Sequence, residues 1–344
     1  MQYSTPELLE FAKNLENKGT HYEINIGVFL QQWLNDSDTV NVKTSGSTGK
    51  PKDISLFKNR MVNSAKATGV FFKLGENTTS LLCLPSNYIA GKMMLVRAMV
   101  LGWNLHIVAP QKDALTQYDN DYDFVAMVPY QVEYSIAALH KVHKLIIGGG
   151  AISKELDDKL QEVDTEVFAT YGMTETITHI AVRRINGLAK SLNYTALPNV
   201  KFTQDERECL IINAIEISDE NITTNDVVNL ISPTSFEWLG RIDNVINSGG
   251  IKIYPEQIEE KLSSIIELPF IITSEKDERL GERIILIFEN EGEYPTPDFS
   301  EAFSKLTSYE RPKKIYTFSK FPFTETGKIN RVEVIQTLKN NKKM

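Results

Sequence analysis

Cysteine is scarce in this chain. Two residues in 344, Cys83 and Cys209, are too few for a disulfide framework. Both sit in apolar runs, Leu81-Leu82-Cys83-Leu84 and Cys209-Leu210-Ile211-Ile212, which predicts buried free thiols and fits a reducing compartment. Positive charge is also in deficit. Lysine and arginine total 37 against 45 acidic residues, and the net charge of −8 argues against a nucleic-acid partner while leaving room for a local basic site. No apolar run is long enough to span a membrane, and the N-terminus shows no basic-then-apolar signal pattern. The expectation is a cytoplasmic protein. Internal repeats and low-complexity tracts are missing too, and the lysine-rich end from Lys339 to Lys343 reads as a solvated tail.

What is present is a globular composition, 42% hydrophobic and 24% charged, on a chain long enough for more than one domain. One segment carries concentrated chemistry. Thr44-Ser45-Gly46-Ser47-Thr48-Gly49-Lys50-Pro51-Lys52 packs hydroxyls, glycines and lysines directly behind the alternating run Val40-Asn41-Val42-Lys43. Glycines allow successive backbone N–H groups to turn toward one anion, and the hydroxyls and lysines add donors and charge. A polyphosphate is the natural guest. The Walker pattern of ordinary NTPases is absent, because Lys50 precedes a proline and the leading glycine is displaced. Alone, the segment reads equally well as a flexible turn.

Periodicity organises the rest. Ser4-Thr5-Pro6-Glu7 has capping-box spacing, and Leu8, Phe11, Ala12 and Leu15 follow at helical intervals. Further helices are expected over 24–34, 57–72, 92–101, 130–139 and 154–163. Short apolar strands are expected at 80–84, 105–109, 124–128, 144–147 and 166–170. Such alternation predicts a largely parallel sheet covered by helices. From 181 to 239 the helical period gives way to strands, such as 209–213 and 227–231, in a β-rich subdomain. Beyond Asp243 an α/β pattern returns on a smaller scale, with a helix over 255–266, strands at 270–273 and 283–288, and a last helix over 331–338. The expected fold is α/β. A large domain spans residues 1–242, and a small, mobile α/β domain spans 243–344.

Four further blocks keep the phosphate loop company. They are Tyr171-Gly172-Met173-Thr174-Glu175-Thr176; Gly240-Arg241-Ile242-Asp243; the run Ser248-Gly249-Gly250-Ile251-Lys252-Ile253-Tyr254-Pro255-Glu256; and Thr324-Glu325-Thr326-Gly327-Lys328-Ile329-Asn330-Arg331. In this order they resemble the adenylate-forming superfamily of acyl-CoA synthetases, luciferases and peptide-synthetase adenylation domains, from about residue 40 to the C-terminus. The resemblance implies an acid–CoA ligase that uses ATP, Mg²⁺ and coenzyme A: a carboxylate attacks the α-phosphate to give an acyl-adenylate, and a thiol then takes the acyl group. It also implies roles. Thr44 to Lys50 would hold the β- and γ-phosphates, and Glu175 would bind Mg²⁺. Gly149, Gly150, Ala151, Thr170, Tyr171, Gly172, Met173 and Thr174 would surround the nucleotide, with Tyr171 stacking on adenine. Asp226, in Thr224-Asn225-Asp226 where relatives carry Thr-Gly-Asp, would accept the ribose hydroxyls, with Asp219 as a weaker substitute. Arg241 would approach the ribose or phosphate, and Asp243 would be the hinge. Ser248, Gly249 and Gly250 would line the path of the thiol, and they also suit a hairpin turn. Lys328 would be the catalytic lysine of adenylation.

One departure from the family stands out. About forty residues precede the phosphate loop where relatives carry a much longer region, which puts pocket walls and oligomeric contacts in question; a homo-oligomer stays open. In the acyl-pocket segment, Leu84-Pro85-Ser86-Asn87-Tyr88-Ile89-Ala90-Gly91-Lys92-Met93-Met94, Tyr88 and Lys92 are the candidate substrate contacts. Lys92 and Arg97 sit in an otherwise apolar helix, an expensive placement unless each meets an anion. For Arg97, snorkelling to solvent is an equal alternative. A cation in the pocket favours an acid with a second carboxylate, and the segment is most similar to the o-succinylbenzoate–CoA ligases of menaquinone biosynthesis. The other readings are another aryl- or acyl-CoA synthetase, or an enzyme loading a carrier protein. A catalytically silent binding module would be expected to lack Lys328 or Glu175; both are present.

Overall fold

The computed structural model describes residues 5–43, 53–292, 297–323 and 329–341. The proposed phosphate loop from Thr44 to Lys50, the cap residue Ser4 and the proposed catalytic Lys328 lie outside the described residues.

The chain opens with helices α1 (Thr5–Lys18) and α2 (His21–Leu34). Thr20 starts the second helix by donating both its N–H and its hydroxyl to the Glu23 carboxylate, at 2.7 and 2.6 Å. Antiparallel strands β1 (Thr39–Lys43) and β2 (Asp53–Phe57) flank the glycine-rich segment, and α3 (Lys58–Phe72) follows. The expected alternation then appears: β3 (Thr79–Leu82), α4 (Ile89–Leu101), β4 (Asn104–Ile107), β5 (Tyr122–Met127), α5 (Pro129–Ser135), β6 (Val142–Ile147), α6 (Lys154–Leu160) and β7 (Glu166–Gly172). Strands β4, β3, β5, β6 and β7 pair in parallel in that order. Their apolar runs are continuous because both faces are covered. Leu82, Phe124 and Ile146 join one core with α3 and α4, while their neighbours Leu81, Val125 and Leu145 join the opposite core with α5 and α6. Cys83 and Cys209 are both buried and free, and burial pushes the Cys83 thiol up to about 12.

Six antiparallel strands extend the same sheet: β8 (His179–Arg184), β9 (Asn193–Ala196), β10 (Lys201–Gln204), β11 (Cys209–Asn213), β12 (Ile222–Ser232) and β13 (Ser235–Arg241). The β-rich stretch is therefore continuous with the parallel strands through β8, which pairs with β7. A single 3₁₀ turn, Ile242–Asn244, leads to a second sheet. That sheet contains β14 (Ile246–Ser248), β15 (Ile251–Ile253), β16 (Phe270–Asp277), β17 (Gly281–Glu289) and β18 (Lys314–Phe318), with helices α7 (Pro255–Leu262), α8 (Ser300–Ser304) and α9 (Arg331–Asn341). It has its own cores, one around Ile258, Leu262, Leu286 and Phe288, the other around Ile271, Ile287 and Val334.

Three helices end earlier than the apolar spacing predicts. The helix expected over 130–139 stops at Ser135 and continues as the 3₁₀ segment Ile136–Lys141. The helix expected over 154–163 begins on a Ser153 cap, whose oxygen accepts the Leu156 N–H at 3.1 Å, and ends at Leu160. The helix expected over 255–266 ends at Leu262. Beyond these ends the apolar period runs on through buried Ala138, Leu139 and Ile266 and half-buried Val163, over 3₁₀ or isolated turn bonds in place of a regular α-helix.

Candidate functional site

The parallel strands β5, β6 and β7 end on one side of the sheet, where the pairing changes to antiparallel at β7–β8. In α/β sheets, ligands bind outside the carboxyl ends of the strands at such a switch. Beyond β6 the chain runs through Gly148-Gly149-Gly150-Ala151. A Cβ on Gly148 would come within 2.6 Å of the Thr170 hydroxyl, which donates to the Ile147 carbonyl at 3.1 Å. The glycine loop thus rests directly on β7.

The end of β7 is a tight reversal. A Cβ at Gly172 would lie 2.3 Å from the Thr178 carbonyl, so only glycine fits there. Thr174–Thr176 forms one 3₁₀ turn, stitched by the Thr176 hydroxyl, which accepts the Met173 N–H at 2.9 Å. Ile177 then takes φ 68° and ψ −58°, with the Thr178 N–H donating to the Thr176 carbonyl at 2.7 Å. This is a γ-turn centred on a β-branched residue, a conformation costing about 1–3 kcal/mol and held by the buried Ile177 side chain. The result leaves Glu175 exposed and turns Thr178 and His179 back into the protein.

Across the sheet, Tyr171 meets the proposed ribose group. Its hydroxyl donates to Asp226 Oδ2 at 2.7 Å, while Trp238 Nε1 donates to Oδ1 at 3.2 Å. Burial and the Asp226 charge push the Tyr171 phenol well up, so it stays a donor. Asp226 pairs with Arg241 in the β12–β13 register, and the Arg241 guanidinium lies 3.7 Å from Asp226 and 3.2 Å from Asp243. Tyr171, Asp226, Arg241 and Asp243 therefore form one connected cluster at the join between the two sheets. Asp219 is elsewhere: it is exposed and paired with Arg60.

The acyl side divides the two helical cations. Tyr88 is half-exposed ahead of α4. Lys92 is buried, and its ammonium donates to the Ser86 carbonyl at 2.8 Å, 5.4 Å from the Phe29 ring centroid. Its structural contacts are thus backbone and α2. Arg97 does not snorkel. It is 1% exposed, and among the described residues no carboxylate lies within ion-pair distance of it. Its Nε donates to Thr68 Oγ1, and Nη2 to Thr178 Oγ1 and His179 Nδ1, all at 3.4 Å; Nη1 reaches only Met94 Sδ at 3.6 Å. These contacts exceed the usual 2.7–3.2 Å range for N–H···O, so the fork is underfilled. Burial pulls Arg97 down to about 9, which leaves it charged at neutral pH. His179, Thr178 and Thr68 were not singled out by sequence reasoning; the one available signal was a histidine opening the apolar strand that follows Thr174-Glu175-Thr176.

Burial and the Arg97 charge hold His179 well below its usual range, so it is neutral in the folded protein. The unfolded chain binds a proton there near pH 6.5 and the folded chain does not. Stability from this site is therefore present above pH 6.5 and lost as the pH falls. The expected result is a drop of up to about 1.4 kcal/mol per pH unit below 6.5, relative to His179→Gln, in paired denaturant titrations from pH 7.5 to 5. Parallel pH slopes for the two proteins would refute the assignment.

In the small sheet, Gly249 and Gly250 form the two-residue turn between β14 and β15, with φ of 59° and 84°. Those values favour glycine and fit a type I′ hairpin. A Cβ on Gly250 would meet no atom within 4 Å. The Glu256 carboxylate of α7 accepts from Asn244 Nδ2 at 2.6 Å and faces Gly240 of β13, and Lys252 bridges to Glu208 at 2.5 Å. Around the undescribed stretch 324–328, Phe323 and Ile329 pair as an antiparallel bridge, and Arg331 anchors α9 on the Ile272 carbonyl at 2.9 Å and on Glu259. Among the described residues no group of three metal-ligating side chains occurs. A single exposed carboxylate suits Mg²⁺, which keeps waters and takes phosphate oxygens for its other ligands.

Comparison with known proteins agrees with this architecture. The AMP-binding enzyme family matches residues 11–203. A crystal structure of an acyl-CoA synthetase (AMP-forming)/AMP-acid ligase II-like protein from Dyadobacter fermentans is 35% identical, with a TM-score of 0.65, covering 96% of this chain and 98% of that one. The 2-succinylbenzoate–CoA ligase of Staphylococcus epidermidis is 24% identical, over 85% of this chain and 68% of that protein. The O-succinylbenzoate coenzyme A synthetase of Bacillus subtilis, solved with ATP and magnesium ion, shares the fold at a TM-score of 0.72 and 19% identity, over 86% of this chain and 69% of that one. Among the described residues no helix is long and apolar enough to cross a membrane. With more than half its length matched, the chain belongs to the AMP-binding enzyme family, as an AMP-forming acid–CoA ligase.

Proposed function

We propose that this AMP-forming acid–CoA ligase activates an acid carrying a second carboxylate, o-succinylbenzoate, and passes the acyl group to coenzyme A in menaquinone biosynthesis. The observation that carries the reading is Arg97: a fully buried, charged guanidinium with underfilled donors beside the loop that closes β7. A charge so buried is strongly disfavoured unless an anion completes it. The ring carboxylate of o-succinylbenzoate supplies that anion, while the succinyl carboxylate reaches the nucleotide side. The similarity to 2-succinylbenzoate–CoA ligases of Staphylococcus epidermidis and Escherichia coli, each at 24% identity, supports the same substrate.

The residues divide the work as follows. Thr44 to Lys50 grip the β- and γ-phosphates. The Gly149-Gly150-Ala151 backbone and Tyr171 enclose adenine, while Asp226, already ordered by Tyr171 and Trp238, accepts the ribose hydroxyls with Arg241 beside it. Glu175 holds Mg²⁺, which when bound offsets phosphate charge. Lys328 approaches the reacting carboxylate and α-phosphate and stabilises the charge that develops between them. The hinge at Asp243 then turns the small domain, and the Ser248-Gly249-Gly250 hairpin admits the thiol. Lys92 braces the pocket segment through the Ser86 carbonyl, so the acid-reading role passes from Lys92 to Arg97. These are cytoplasmic, small-molecule reactions.

Pyrophosphate release measured across a panel of acids, with and without free coenzyme A, tests the reading. Release with o-succinylbenzoate should exceed that with its analogue lacking the ring carboxylate by about a hundredfold in kcat/KM, as expected for an anion lost from a desolvated site. Equal rates would point to another aryl- or acyl-CoA synthetase. Acyl transfer only to a tethered pantetheine would point to carrier loading.

A further inference from the structure

The donors and acceptors around Arg97 have only one consistent arrangement. Arginine has five N–H donors and no acceptor. His179 Nδ1, 3.4 Å from Arg97 Nη2, must therefore accept, which places the imidazole proton on Nε2. Nε2 lies 3.4 Å from Thr68 Oγ1 and donates to it. Thr68 in turn donates to the Ser64 carbonyl one turn earlier in α3, at 3.1 Å, and receives Arg97 Nε–H on its remaining acceptor side. Every proton in the ring has a single direction, and all of these atoms are buried.

The ring fixes one edge of the guanidinium. Thr68 and His179 take Nε and Nη2, leaving Nη1 with the weak Met94 Sδ contact as its partner among the described residues. His179 also lines a cleft together with Asn63, Ala67, Pro198, Asn199 and Glu216. Phe72 packs on it edge-on, 6.5 Å between centroids.

We propose that His179, with Thr68, is a positioning residue for acid selection: it clamps the Nε–Nη2 edge of Arg97 so that Nη1 faces the second carboxylate of the substrate. The proposal rests on the dicarboxylate reading above. A guanidinium free to rotate between Thr178 and Met94 would lose the fixed fork that makes arginine selective for a carboxylate. His179 touches neither nucleotide nor reacting atoms in this assignment, so its effect belongs in substrate discrimination.

The experiment compares kcat/KM for o-succinylbenzoate with that for the analogue lacking the ring carboxylate, in wild type, His179→Leu, His179→Gln and Thr68→Val. His179→Leu removes the acceptor for Arg97 and should lower the discrimination ratio about tenfold or more, carried by KM for the dicarboxylate. His179→Gln keeps an acceptor toward Arg97 and a donor toward Thr68, and should recover most of the ratio. Thr68→Val reaches the same clamp from the other side and should lower the ratio even if the leucine variant folds poorly. A wild-type ratio near one overturns the dicarboxylate reading itself. A wild-type preference that survives in both His179→Leu and Thr68→Val overturns the clamp alone. So does equal loss in the leucine and glutamine variants, or a fall in kcat on both acids together.

Discussion

Lys328→Ala should slow acyl-adenylate formation by about a hundredfold to a thousandfold, the scale seen when one preorganised donor to developing charge is removed. Thioester formation from supplied acyl-adenylate should be largely retained. The asymmetry follows from where the two proposed groups attach. Lys328 belongs to the stretch between Phe323 and Ile329, which pair as a bridge just ahead of the Arg331 anchor on α7 and β16, whereas the proposed thiol loop is the Gly249–Gly250 hairpin between β14 and β15. The two proposed groups thus belong to different segments that follow the Ile242–Asn244 turn, so rotation at that turn would present them in alternation. ATP–pyrophosphate exchange reads the first half-reaction, and acyl transfer from synthetic adenylate to coenzyme A reads the second. Equal loss in both would mean that Lys328 supports the domain rather than one chemical step.

The sheet was legible because its strands are written redundantly. Leu81-Leu82-Cys83, Phe124-Val125-Ala126 and Leu145-Ile146-Ile147 are apolar on both faces, a pattern that belongs to parallel strands covered on each side. Helix ends were less legible, since Ala138, Leu139 and Ile266 continue the apolar period where the regular α-helix has given way to 3₁₀ or isolated turn bonds. At the site, the blocks containing Tyr171, Asp226 and Arg241 are local in sequence, and their assembly follows from one β-hairpin and its neighbours. The Arg97 group is different in kind. Thr68, Arg97 and His179 come from two helices and a strand, separated by 29 and 82 residues. Each looks ordinary alone: a threonine inside a helix, an arginine able to snorkel, a histidine in an apolar strand. Only packing makes them one device, and it also separates Lys92, bonded to a carbonyl, from Arg97, whose donors are underfilled.

Arg97→Leu should split function from stability. Leucine fills much of the same volume without charge, and replacing a buried ionic group by an apolar one is often neutral or stabilising by about 1–4 kcal/mol. Here the native guanidinium lacks a carboxylate partner among the described residues, so the gain should lie on the stabilising side, read as a higher denaturant midpoint. Catalysis should move the other way. The ring carboxylate of o-succinylbenzoate would enter a desolvated site with no cation, raising KM by a factor corresponding to about 2–5 kcal/mol, or roughly thirtyfold to several-thousandfold. KM for ATP should change little, because Tyr171, Asp226 and Arg241 form a separate cluster. The analogue without the ring carboxylate should be affected far less, since it presents nothing to Arg97. A variant that is both destabilised and equally impaired on the two acids would make Arg97 a structural residue and remove the physical basis for a dicarboxylate substrate. A more stable enzyme that has lost its preference would instead identify the unpaired charge as a feature kept for recognition at the expense of stability.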